Sequence, residues 1–313
     1  MPFIAFFRNT NKKGGNEPLP DPVKVIRDAL VHALVYYYPL AGRLKEGDSR
    51  KLMVDCTGEF GVLFIEADAD ITLEHVGDAI QPPCPYLEHF LCDVPGSSGE
   101  QTGLGGFIVA TRVNHTMTDE ALGIFYFLNT IGEIARGANE PSYRPVRKRE
   151  ILNAREPPRV TCAHHEYDTT AGTEATMDTH AHLIDKSFFF GFQEVDCIRK
   201  HLPSHLQSSS TFEGRPHYST AGHFIVADSS RVPFREFDFG WGKPVYAGVA
   251  KAAPNTSFCE RFKKSTGEDG ILIQMSLPLQ AMDRFQKELA KFTGERPMHV
   301  TGDKKHTIIK SML

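Results

Sequence analysis

No stretch of this 313-residue sequence stays apolar for long. The most apolar run, ALVHALVYYYPLAG (29–42), is interrupted by His32 and Pro39, and it falls well short of the ~20 residues a membrane helix needs. The opening MPFIAFFRNTNKKGG holds a shorter run broken by Arg8, too brief for the apolar part of a secretory signal. Neither sign of charge is in excess: 35 Lys+Arg against 39 Asp+Glu leave a net charge of −4, which offers a phosphate backbone no electrostatic footprint. Six cysteines, at 56, 84, 92, 162, 197 and 259, form no CxxC pair, metal knuckle or disulfide framework. They suit a reducing compartment as free, buried thiols. These absences argue against nucleic acid and a membrane as partners, supply no metal site, and make the cytoplasm the expected location.

What is present is the material of a folded, enzyme-sized protein. Hydrophobic residues make up 41% and charged residues 24%, the balance of a globular chain. The length suits two domains with a cleft between them. A turn-rich stretch near 140–160, including EPPRV, divides the chain into 1–150 and 151–313. In the first half, Val23, Ile26, Leu30, Ala33, Leu34 and Tyr37 recur at helical spacing, with Asp21 as cap, Pro22 in the first turn and Pro39 as the stop. KLMVDCT (51–57) and GVLFIEADADITL (61–73) read as strands, separated by Gly58 and Gly61. After the Gly/Ser-rich loop CDVPGSSGEQTGLGG comes FIVATRVNH, a strand that wants an antiparallel neighbour close in sequence and has none before it. Leu122, Phe125, Leu128, Ile131 and Ala135 then return to helical spacing up to Gly137.

In the second half AHLIDKSFFFG, GILIQMS and HTIIKSML read as strands. QEVDCIRKHL and PLQAMDRFQKELAKF read as helices, the latter with Met282, Phe285 and Leu289 on one face. Ser210 and Glu213 carry a capping-box spacing, yet Gly214 and Pro216 follow at once, so the announced helix does not arrive. The whole reads as mixed α/β.

Chemistry enters with RVNHTMTDEALG (112–123), where a histidine stands four residues before an aspartate. Spacing alone is cheap: four of the 14 histidines have Asp at that distance, namely His89, His115, His164 and His299, with Asp93, Asp119, Asp168 and Asp303. Context separates them. Only His115 ends a strand and only Asp119 opens a long helix, which puts the pair on a short turn at a strand tip, where catalytic groups tend to lie. The other three pairs read as surface histidines. A bland alternative for the favoured pair also stands, in which Asp119 and Glu120 complement a helix dipole and His115 is merely a hydrogen-bonded residue at a strand end. A second motif, DFGWGKPVY (238–246), holds the single tryptophan between two glycines. It predicts a tight loop around a buried indole, with Asp238 fixing the turn, and it carries neither base nor nucleophile. The GLGG at 103–106 precedes a strand instead of opening a helix, which makes a poor phosphate loop.

HTMTD at 115–119 followed by DFGWG at 238–242 resembles the plant BAHD acyl-CoA-dependent acyltransferases. YYYPLAGRL (36–44), KLMVDCTGEFGVLFIEADADITLE (51–74), EPPRVTCAHHEYD (156–168) and KSFFFG (186–191) extend the likeness to members of the benzyl alcohol O-benzoyltransferase type. The resemblance implies a two-domain fold with a solvent channel between the domains. It also implies His115 as general base in the channel, Asp119 as an orienting residue, and Asp238, Phe239, Gly240, Trp241 and Gly242 as a structural loop. Acyl-CoA would be a cosubstrate and a small alcohol the acceptor, acting on a monomer with no permanently bound cofactor and no metal. Imidazole suits that task, since it titrates near ~6.5 as a residue type and a positioned base is worth roughly 10² to 10⁴ in rate.

Several blocks depart from the family's pattern. Position 120 is Glu where the family has Gly or Ala, the chain's start corresponds to a point inside the family's pattern, and the loop at 94–106 stands where the family has a strand. A long block is missing between Glu213 and Gly214, including an arginine that holds the family's aspartate, so the second domain is expected to be incomplete. Two readings follow: an acyl-CoA-dependent O-acyltransferase, or a catalytically impaired, shortened relative with at most a binding role.

Overall fold

The computed structural model describes residues 2–8, 20–48, 52–58, 61–67, 73, 80, 90, 106–118, 120–146, 148, 157, 183–199, 224–253, 256–264, 266–293 and 300–301. Its strands, in chain order, are β1 (Pro2–Arg8), β2 (Arg43–Glu46), β3 (Leu52–Asp55), β4 (Gly106–Arg112), β5 (Leu183–Phe190), β6 (Ile225–Asp228), β7 (Tyr246–Val249), β8 (Thr256–Lys263), β9 (Asp269–Pro278) and β10 (Val300–Thr301). The helices are α1 (Pro22–Tyr36), α2 (Glu120–Ala135), α3 (Phe192–Arg199) and α4 (Leu279–Thr293).

β1 is the middle strand of a three-stranded sheet ordered β4-β1-β7, antiparallel to both neighbours. The strand carrying the His115 motif therefore has its antiparallel partner, but the partner comes from the start of the chain and not from nearby sequence. FIAFF hides its strand character because Phe3 to Phe7 are all 0% exposed. A strand buried on both faces shows no alternation.

Alternate residues of this sheet enter two cores. Phe3, Ala5, Phe7, Phe107 and Val109 pack beneath Ile26, Leu30 and Ala33 of α1 and Ile124, Leu128 and Ile131 of α2. Ile4, Phe6, Ile108 and Ala110 meet Phe189, Phe262 and Leu272 from a five-stranded sheet ordered β10-β5-β9-β8-β6. Neighbours in that sheet are antiparallel except β6 and β8. Its far face, through Phe188, Phe190 and Met275, packs on Met282, Phe285 and Leu289 of α4 and Val195 and Ile198 of α3. The layers thus run helices, sheet, sheet, helices, and each fully buried large side chain contributes about 1.5–3 kcal/mol. The halves read as 1–150 and 151–313 do not map one to one onto the sheets, because β7 comes from the second half and lies beside β1.

Local signals place the helices. The Asp21 side chain accepts a hydrogen bond from the Val23 N–H at 3.0 Å, capping α1, with Pro22 behind it. Gly137 follows the end of α2. The strand expected at 61–73 does not form over 61–67. There, Val62 and Phe64 pack against the helical core, Arg27 sits 4.9 Å over the Phe64 ring, and Arg27 pairs with Glu66 at 3.0 Å. The alternation is met by α1 and not by a ladder partner. The hairpin β2–β3 covers only the first of the two expected runs. Cys56 is exposed, contrary to the expectation of buried thiols, while Cys197 and Cys259 are half-buried. The 94–105 loop, the capping-box segment 208–217 and HTIIKSML lie outside the described residues. No helix among the described residues is long and apolar enough to cross a membrane.

Candidate active site

Beyond Arg112 the chain leaves the sheet and forms a three-residue 3-10 turn, His115–Met117. The turn contains no buried residue, and His115 itself is exposed, open to solvent and to any reactant that reaches the strand tip. Asn114 caps the turn: its Oδ1 accepts from the Thr116 N–H at 3.1 Å and from the Thr116 hydroxyl at 2.8 Å, and its carbonyl accepts from Met117 N–H at 2.9 Å. The sequence reading missed Asn114. An Asx residue directly before a turn was the available signal. Asp119 lies outside the described residues, as do His89, His164 and His299, so only His115 of the four spaced histidines has a described position. The backbone of α2 begins immediately afterwards, at Glu120.

The DFGWG motif folds as its composition predicts. Gly240 and Gly242 take φ of 112° and 95°, a region costly for any residue with a Cβ. Their two N–H groups converge on Asp238 Oδ1 at 2.7 and 2.9 Å. Trp241 is 6% exposed and meets Phe107 of β4 edge-on at 5.4 Å, while Phe239 packs against Phe7 and Phe237, each at 5.3 Å.

The DFGWG loop therefore shares a core with β4 and α2, the two elements that flank the His115 turn. The Asp238 carbonyl accepts from Arg136 and lies against Gly132 of α2, where any side chain would collide with it. The loop thus braces both the strand that leads into the His115 turn and the helix that leaves it. The contacts of Phe239 and Trp241 are ring packing, and those of Asp238 are hydrogen bonds to main-chain N–H groups and, through its carbonyl, to Arg136.

A third cluster escaped the sequence reading. Glu260 of β8 is 3% exposed and pairs with no cation among the described residues. It accepts from Val249 N–H at 2.7 Å, Tyr246 Oη at 3.0 Å and Gln274 Nε2 at 3.2 Å, joining β7 of the first sheet to β8 and β9 of the second. Burial pushes its carboxyl up to about 7, against the pull of those three donors. In TSFCERFK the charge shares the inward phase of Phe258 and Phe262, and that placement was the signal available. Next to it, Cys259 is raised to about 11, by burial first and then by the charges of Asp228 and Glu260, which leaves it an unreactive thiol. A small cleft at the same seam is lined by Asp185, Lys251 and Gln274 among others, and His115 does not line it. Among the described residues no group of three or more His, Cys, Asp or Glu side chains is arranged to hold a metal ion.

The sequence matches the family described as the Transferase family over residues 6–213 and 193–292. The chain belongs to the BAHD acyltransferases. As a BAHD acyltransferase it is 40% identical to Alcohol acyl transferase 2 of Malus domestica over 404 residues, spanning 94% of this chain and 87% of that protein. It is 38% identical to benzyl alcohol O-benzoyltransferase of Petunia hybrida over 398 residues, 92% of this chain and 85% of that protein. The fold is shared with TRI101 of F. graminearum, solved in complex with coenzyme A and deoxynivalenol, at a TM-score of 0.62 and 14% identity, covering 93% of this chain and 94% of that one. Both sequence alignments are longer than the 313-residue chain, so these relatives carry internal residues with no counterpart here. The family match to this BAHD acyltransferase comes in two stretches that overlap over residues 193–213.

Proposed function

We propose that this BAHD acyltransferase moves an acyl group of the benzoyl or acetyl kind from coenzyme A to the hydroxyl of a small alcohol, with His115 as the general base and Asp119 as its orienting residue. The observation that carries the reading is an exposed imidazole on a capped turn at the tip of β4, braced from behind by the DFGWG loop. The relatives named alcohol acyl transferase and benzyl alcohol O-benzoyltransferase support the acceptor class, and a fold neighbour solved with coenzyme A supports the donor.

His115 takes the hydroxyl proton as the alcohol oxygen attacks the thioester carbonyl and a C–O bond forms. The tetrahedral oxyanion collapses, the C–S bond breaks, and the imidazolium returns its proton to the departing thiolate, giving ester and free CoA thiol. No acyl-enzyme and no resident metal or cofactor is needed. The same reading has the protein work as a cytosolic monomer, with the chemistry between a first domain at 1–150 and a second, shortened one at 151–313. A second reading, a shortened relative that binds without turnover, is favoured by the internal residues missing relative to the relatives.

Purified protein given benzoyl-CoA or acetyl-CoA with benzyl alcohol or a small aliphatic alcohol should release CoA thiol and form ester. His115→Ala should lower the rate by roughly 10² to 10⁴. Ester formation that persists in the alanine variant overturns His115 as base. No ester from the wild-type chain selects the second reading.

A further inference from the structure

None of the three residues of the His115 turn is fully buried, though Met117 is half-buried. Hydrogen bonds within the turn therefore carry much of its conformation. Two residues bracket His115, and they are tied to each other. Asn114, with φ −69° and ψ 122°, places its amide oxygen against both donors of Thr116, the N–H at 3.1 Å and the hydroxyl at 2.8 Å. Its own carbonyl receives Met117 N–H at 2.9 Å, and the His115 carbonyl receives the longer bond from Thr118 N–H at 3.4 Å. Side chain and main chain of Asn114 thus close the turn from the strand side. With the side-chain oxygen gone, residues 114–116 would keep only main-chain bonds at an exposed site, where water competes for each donor.

We propose that Asn114 is the positioning residue for His115: by holding Thr116 through one amide oxygen, it fixes the turn on which the imidazole is presented to the reacting alcohol. This rests on the reading of His115 as general base. Asn114 touches no reacting atom, and its effect passes through the orientation of the ring. Small misplacements of a base are costly in turnover, on the order of 10²-fold for ~1 Å, so a positioning role predicts a loss that falls on kcat more than on KM.

The test compares Asn114→Ala with Asn114→Asp, which keeps an acceptor oxygen in place, using the full chain. The alanine variant should lose roughly 10- to 100-fold in kcat with KM for acyl-CoA and alcohol within about twofold, and the aspartate variant should retain most of kcat. The aspartate variant should also move the acidic limb of the kcat–pH profile upward, since a carboxylate beside the imidazole favours its protonated form. Independently of turnover, the His115 ring protons should show one set of nuclear Overhauser contacts in the wild-type and aspartate proteins and averaged contacts in the alanine variant. Unchanged kcat in Asn114→Ala, equal losses in both variants, a loss confined to KM, or an equally ordered ring in the alanine protein would each overturn the proposal. If His115→Ala still transfers acyl groups, it is the general-base reading that fails, and the ring-order measurement still decides whether Asn114 positions the histidine.

Discussion

The two motifs of this protein are built in opposite ways. The DFGWG loop is anchored in the core: an indole against Phe107, Phe239 between two phenylalanines, and a carboxylate gathering two glycine N–H groups. The HTMTD turn is exposed and held by a single capping side chain over its described part. A loop with no reactive group is pinned by two buried rings, while the turn with the imidazole is accessible and lightly tied. The difference teaches a division of labour under the proposed function: a base that meets two substrates cannot be packed away, so the proposal has its precision come from the core through β4 and α2 and from the Asn114 cap.

Stability measurements on single variants can break that comparison. The largest loss is expected for Trp241→Ala, about 3–5 kcal/mol by chemical denaturation, because a large buried ring is replaced by a cavity. A loss below about 1 kcal/mol would mean that the loop does not anchor the first core. Next comes the seam between the sheets. The folded protein holds the Glu260 proton up to about pH 7, while the unfolded chain releases it near the ordinary value of 4.5. The folded state therefore binds more protons across that window, and stability falls as pH rises through it, by on the order of 3 kcal/mol. Glu260→Gln should flatten this slope in a series of unfolding curves from pH 4.5 to 8, and an unchanged slope would assign it to another group.

A smaller effect, about 1–2 kcal/mol, is expected for Asp238→Ala, which leaves two glycine N–H groups without their acceptor. The smallest is expected at the turn itself. His115→Ala should change stability by no more than about 0.5 kcal/mol, as exposed substitutions do, while abolishing most of any acyl transfer. A marked destabilisation would show that the imidazole is part of the framework and would undo the contrast between the motifs.

How much of this was legible in the sequence depended on whether the signal was local. Helix α1 announces itself because Asp21, Pro22 and Pro39 punctuate a one-faced apolar pattern, and the structure uses Asp21 as the cap. The DFGWG loop is legible because only glycine accommodates its backbone, and a lone tryptophan beside it needs burial. β1 and β7 were not legible, since FIAFF and YAGV are buried on both faces and show no alternation. The run at 61–67 misled for the opposite reason: its alternation is real but is satisfied by packing on α1. Glu260 looks like a surface charge in a strand, and only the pairing of β8 with β9 and the approach of β7 turn it inward. At the candidate site, His115 stood out through its place between strand and helix, whereas the importance of Asn114 emerged only from the bonds to Thr116.

One consequence of the strand order concerns how the molecule is made. β1 leaves the ribosome before either of its neighbours, and β7 follows it only after β2 to β6 have been synthesised. Until then a stretch of five apolar residues waits with one edge bare, at an age when chains aggregate most readily. Such distant pairing slows folding, and the nascent chain should depend on chaperone shelter until Tyr246–Val249 emerges to seal the sheet.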